Sequence, residues 1–116
     1  WAIALKSDPK IIGTICFWNL VPDKNQAELG YELYTPFHGK GIMHEAVQAV
    51  IKLGFEQLGF ELITATPVHL NENSVKLLLR NDFELCNSPE QFLSEEEIQI
   101  GMVVYLLDKQ RFLSQQ

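Results

Sequence analysis

This chain is poor in the residues that build disulfide frameworks and metal sites. Its two cysteines, Cys16 and Cys86, lie far apart with no Cys-x-x-Cys spacing. That excludes a disulfide scaffold, and both read as reduced core or near-core thiols of a cytosolic protein. His38, His44 and His69 show no ligand spacing with cysteines or carboxylates, so no metal is expected. Basic residues are scarce too: 9 Lys and Arg stand against 15 Asp and Glu, for a net charge of −6. Without a basic cluster there is no electrostatic footprint for nucleic acid. An acidic surface instead draws cationic partners such as amines. No apolar run approaches the roughly 20 residues of a membrane span, so no membrane partner is expected.

What is present suits one globular domain over 1–116 with one core: 47% of the 116 residues are apolar. The chain opens at Trp1 inside what reads as a strand, and a preceding segment is therefore expected. Residues 1–6 and 11–18 read as a hairpin around Ser7-Asp8-Pro9-Lys10. Residues 26–35 alternate, with Ala27, Leu29, Tyr31 and Leu33 on one face and Glu28, Gly30, Glu32 and Tyr34 on the other. A long helix over about 40–58 follows, with Glu45, Gln48, Lys52 and Glu56 on its polar side. Then come a strand over 60–66, a shorter helix over 71–81 with Asn71 as its N-cap, and a short strand over 83–86. An acidic loop over 87–97 and a final strand over 98–107 complete the chain, with a fraying tail after Lys109. The order is β-β-β-α-β-α-β-β. The βαβ unit makes its two strands parallel neighbours inside a mixed sheet.

The junction His38-Gly39-Lys40-Gly41-Ile42-Met43 carries the chemistry. Two glycines let the backbone turn successive N–H groups toward one point, where the helix N-terminus adds its positive dipole end. This makes an anion cradle, and a diphosphate is the anion it suits best. A plain strand-to-helix turn is the alternative. Trp18, Phe17, Phe37 and Phe55 read as core aromatics.

Three pieces together resemble the GNAT superfamily of acyl-CoA-dependent N-acetyltransferases, in particular its Rim-type branch of ribosomal-protein N-terminal acetyltransferases. They are Ala27-Glu28-Leu29-Gly30-Tyr31 with the glycine loop, Asn71-Glu72-Asn73-Ser74 ahead of a helix, and Asn81-Asp82-Phe83. The resemblance covers essentially the whole chain. It implies an α/β fold with a GNAT-type mixed central sheet and flanking helices, lacking here the family's first strand and two helices. It implies acetyl-CoA as cosubstrate and no metal. The chain departs from the family pattern at His38 (usually Arg or Gln), at Met43 (usually Gly or Ala) and at Asp82 (usually Gly).

By the same resemblance, His38, Gly39, Lys40, Gly41, Ile42 and Met43 hold the CoA diphosphate. Leu33, Tyr34 and Thr35 offer backbone to the pantetheine, and Asn71 is a cap and a cofactor-side contact. Glu28 matches a general base that deprotonates the incoming ammonium, with Glu32 as the alternative. A carboxylate on a solvated strand face is the competing reading of Glu28. Ser74 matches the serine that protonates the departing thiolate; the competing reading is a first-turn serine satisfying backbone N–H groups. Many relatives carry a tyrosine where this chain has Leu78. The expected reaction is acetyl transfer to a primary amine, on a protein N-terminus or a small molecule, by direct attack in a ternary complex. A non-catalytic acyl-CoA-binding domain or incomplete fragment, able to homodimerise over an exposed sheet edge, is the rival.

Overall fold

The computed structural model describes residues 1–115. Six strands form one sheet in the order β1-β2-β3-β4-β6-β5. They are β1 (Ala2–Leu5), β2 (Asp8–Val21), β3 (Gln26–Leu33), β4 (Leu62–Ala65), β5 (Glu84–Leu85) and β6 (Tyr105–Asp108). β3 and β4 pair in parallel across the helix α1 (Ile42–Glu56), and the other neighbours are antiparallel. The mixed sheet, and the element order as far as β5, therefore match expectation.

The alternation of β3 sorts the sheet into two unlike faces. Ala27 and Leu29 are buried, and Leu29 joins a core with Ile15, Val47, Ile51, Phe55, Ile63, Leu107 and Leu78 of α2 (Glu72–Arg80). α1 approaches β2 closely at Gly54. A Cβ there would lie 2.9 Å from Phe17 Cζ and 3.1 Å from Phe60 Cδ2, two rings already in edge-to-face contact at 5.0 Å. The opposite face carries Thr14, Cys16, Trp18 and Glu32, all exposed. Cys16 is thus not a core thiol; it stands on the face that no helix of the described residues covers. Trp18, expected in the core, is 50% exposed, whereas Phe55 is fully buried as expected.

Three expectations fail at the C-terminal end, each through a cap. The acidic loop contains α3 (Glu95–Gln99), because Ser94 and Glu97 form a reciprocal capping box with bonds of 3.1 and 2.9 Å. Ile98 consequently belongs to that helix, and the last strand begins only at Tyr105. The tail forms α4 (Lys109–Ser114) instead of fraying. Asp108 caps it through Arg111 N at 2.7 Å, and Phe112 stacks on Phe55 at 4.8 Å.

Candidate active site

β3 and β4 stay paired only from Gln26↔Leu62 to Glu28↔Thr64. Beyond that rung β3 runs on to Leu33 while β4 ends at Ala65, and the two arms separate. The β3 edge past Glu28 is left without a strand partner among the described residues. The gap opens into a cleft of about 960 Å³, bounded by both arms, the start of α1 and one side of α2.

At one end lies the glycine loop. Gly39 and Gly41 sit at φ +76° and +77°, and a Cβ on either would meet nothing within 4 Å. Their glycine character therefore serves backbone conformation, in the left-handed region where other residues are strained, and leaves open space before the loop. Gly41 is the N-cap of α1, and the first intrahelical donor is Glu45 N, bonded to Gly41 O at 3.1 Å. The N–H groups of Ile42, Met43 and His44 precede it and have no acceptor within the helix.

Gly39, Gly41, Ile42, Met43, His38, Leu33 and Asn71 all border the cleft, whereas Tyr34, Thr35 and Lys40 do not. Tyr34 points away as a 64% exposed ring. Thr35 begins the 3-10 turn Thr35–Phe37, which takes it off the strand edge. Lys40 Nζ stands 5.8 Å over the Phe37 ring. His38 Nε2 bonds Leu33 O at 2.6 Å, so that carbonyl is already engaged. Met43 packs against the core beneath the helix. Asp82 adopts φ +69°, in the left-handed region that favours glycine.

The helix side of the cleft holds Ser74. Asn71 Oδ1 accepts from Ser74 N at 3.2 Å, so the cap satisfies that backbone group. This frees the Ser74 hydroxyl, which bonds Tyr31 OH at 2.5 Å. Burial pushes the Tyr31 phenol above the ordinary tyrosine value, and the bond to Ser74 offsets part of that rise. Lys76 and Arg80, one helical turn apart on α2, add positive charge to the same wall. Nearby, Asn81 Nδ2 donates to Leu77 O at 2.8 Å and to His44 Nδ1 at 3.1 Å. Burial and the Arg80 charge hold His44 below its ordinary value, which keeps that nitrogen an acceptor.

The sheet side holds Glu28, which is 9% exposed and so does not lie on a solvated strand face. Asn19 Nδ2 donates to one of its oxygens at 3.0 Å and Thr66 Oγ1 to the other at 2.6 Å. Asn19 sits at φ +47° where the β2–β3 register slips between Trp18 and Val21. Glu32 also borders the cleft, exposed and farther along β3. Tyr31, Trp18, Asn19, Thr66, Lys76 and Arg80 are absent from the sequence-based site. The alternation of β3 places Tyr31 on the helix face, but nothing local pairs it with Ser74. Lys76 and Arg80 are the two whose helical spacing after Asn71 was a usable signal.

The cleft thus runs along a parted pair of parallel strands and ends at a glycine-capped helix start. A family profile described as "Acetyltransferase (GNAT) domain" matches residues 1–84, and the chain belongs to that family. It is 31% identical over 111 residues to the uncharacterized N-acetyltransferase YoaA of Bacillus subtilis (strain 168), a match covering 96% of this chain and 63% of YoaA. It is 28% identical over 105 residues to the ribosomal-protein-serine acetyltransferase of Escherichia coli (strain K12), covering 89% of this chain and 59% of that protein. Among solved structures, the ribosomal-protein-S5-alanine acetyltransferase from Vibrio fischeri matches with TM-score 0.72 and 26% identity, over 89% of this chain and 57% of that one. The fold is also shared with the Campylobacter jejuni N-acetyltransferase PseH in complex with acetyl coenzyme A. That match has TM-score 0.66 and 22% identity, and covers 88% of this chain and 62% of PseH. The chain thus spans less than two thirds of the length of these relatives. No helix among the described residues is long and apolar enough to cross a membrane.

Proposed function

We propose that this protein transfers an acetyl group from acetyl-CoA to a primary amine by direct attack in a ternary complex. The observation that carries this reading is the parting of β3 and β4 just past Glu28↔Thr64, with the α1 N-terminus at the far end of the gap. An extended pantetheine fits there as an added strand against the free β3 edge, since its amides match backbone spacing. The N–H groups of Ile42, Met43 and His44 take the diphosphate, and Lys76 and Arg80 add charge from α2. The open space before Gly39 and Gly41 lets phosphate oxygens approach the backbone.

At the thioester end the two walls divide the proton work. Glu28, on the sheet side, accepts a proton from the incoming ammonium, because only the neutral amine has a lone pair for attack. Glu32 remains the alternative base. The amine nitrogen then bonds to the acyl carbon and the carbon–sulfur bond breaks. Ser74 gives its hydroxyl proton to the departing thiolate and regains one from Tyr31, to which it is hydrogen-bonded. The second proton shed by nitrogen restores the pair through solvent. Neither cysteine is hydrogen-bonded to a histidine among the described residues, which favours direct transfer over a covalent acyl-enzyme.

The test is release of CoA thiol from acetyl-CoA by the full-length protein over a panel of primary amines and N-terminal peptides. Amine-dependent release is expected. Tight acetyl-CoA binding with no turnover on any acceptor would sink the catalytic reading in favour of an acyl-CoA-binding role.

A further inference from the structure

The side-chain amide of Asn81 can face only one way. Asn81 is 7% exposed at the C-cap of α2, and its Nδ2 lies 2.8 Å from Leu77 O. A carbonyl oxygen only accepts, so the nitrogen end of the amide stands there. The same nitrogen lies 3.1 Å from His44 Nδ1 and donates its second hydrogen to it. Both hydrogens of Nδ2 are then used. A ring nitrogen that accepts holds a lone pair and no proton, and a neutral imidazole carries its proton on the other nitrogen. His44 is therefore fixed as the Nε2–H tautomer.

Two conditions keep this ring neutral. Burial and the charge of Arg80 both hold His44 below its ordinary value. A proton on Nδ1 would also set one N–H against the other and break the bond to Asn81. Meanwhile Nε2–H has no protein acceptor among the described residues. The ring borders the cleft from the first turn of α1, where the backbone N–H groups also lack acceptors within the helix. His38 is engaged differently, since its Nε2 bonds Leu33 O. Lys76 and Arg80 bring charge from α2 on long side chains with many rotamers. The imidazole, pinned through Nδ1, offers one donor in one direction.

We propose that the His44 side chain is a cofactor ligand, donating Nε2–H as a neutral imidazole to a phosphate oxygen of CoA, and that Asn81 is the positioning residue that fixes this tautomer from the end of α2. This rests on the acetyl-transfer reading and adds a side-chain contact to its backbone cradle. Lys76 and Arg80 supply charge, and His44 supplies direction. Asn81 does not itself border the cleft, so it acts through the ring.

Two measurements on the full-length protein test this. The first is a long-range proton–nitrogen NMR spectrum of the imidazoles near neutral pH, with the His44 signals assigned by their loss in His44→Gln. Wild type is expected to show Nε2 protonated and Nδ1 bare. In Asn81→Asp, whose side chain only accepts, Nδ1 should carry a proton. The second is calorimetric titration of CoA into His44→Asn and His44→Gln. Asparagine puts its amide near the place of Nδ1, and glutamine puts its NH2 near that of Nε2. His44→Asn is expected to weaken CoA binding about tenfold, and His44→Gln to recover most of that loss. A proton on wild-type Nδ1, wild-type affinity in His44→Asn, or equal losses in the two variants would overturn the ligand role. A bare Nδ1 in a folded Asn81→Asp protein would overturn the positioning role; if that variant does not fold, the wild-type spectrum decides. The acetyl-transfer reading fails separately, if wild type binds no CoA at all.

Discussion

Ser74 and Tyr31 lie 43 residues apart in sequence and meet only because α2 lies over the free arm of β3. A lone serine hydroxyl is a reluctant acid, and a tyrosine behind it supplies a proton that is easier to move. Ser74→Ala is expected to lower turnover on the order of 10²-fold while leaving acetyl-CoA affinity unchanged. Retained turnover would assign the thiolate proton to solvent. Tyr31 also sets a pH dependence of stability. Its folded value is raised above the unfolded 10.0, so the folded state holds the proton more tightly. The stabilisation it gives is complete below that value and is lost as pH rises through the folded one. Urea unfolding between about pH 9 and 11 should therefore cost wild type more stability than Tyr31→Phe. Equal losses would mean that the phenol is not held by its surroundings.

At the scale of elements, the helix α1 was legible because its period is long and its polar face pure: Glu45, Gln48, Lys52 and Glu56 are all exposed. Its buried face centres on Val47, Ile51 and Phe55, while Ala49 and Leu58 are exposed. The short helices α3 and α4 escaped because one turn leaves no measurable period; only the Ser94/Glu97 box and the Asp108 cap mark them. The glycine loop and the Asn71 cap were visible in sequence because their chemistry is local. The carboxylate clamp of Asn19, Glu28 and Thr66 was not, because it joins β2, β3 and the residue just past β4, which only folding brings together. Gly54 is where packing of α1 is most exacting. Gly54→Ala should destabilise the fold by about 1–3 kcal/mol through overpacking against Phe17 and Phe60, despite alanine's better helix propensity. A thermal midpoint at or above wild type would show that the two rings can yield.

For the whole molecule, one sheet divides the labour. Its helix-covered face supplies the core and the cradle, and its bare face presents Trp18, Glu28 and Glu32 to the cleft. Parting of β3 and β4 joins the two sides, and in the proposed reaction this lets a cofactor bound at the helix end present its acyl group to an amine deprotonated by a carboxylate on the sheet. Mixed-sheet architecture followed from hydrophobic period and strand order, but polarity across the cleft depends on which residues the twist of each arm turns inward. The most direct test of this account is calorimetric titration of acetyl-CoA into the wild type and into Gly41→Pro, with circular dichroism confirming a folded variant. Proline cannot reach the φ of +77° that opens the α1 N-terminus, so binding should be measurable in wild type and abolished in the variant. Unchanged affinity in a folded Gly41→Pro protein would contradict the cradle and the site built upon it.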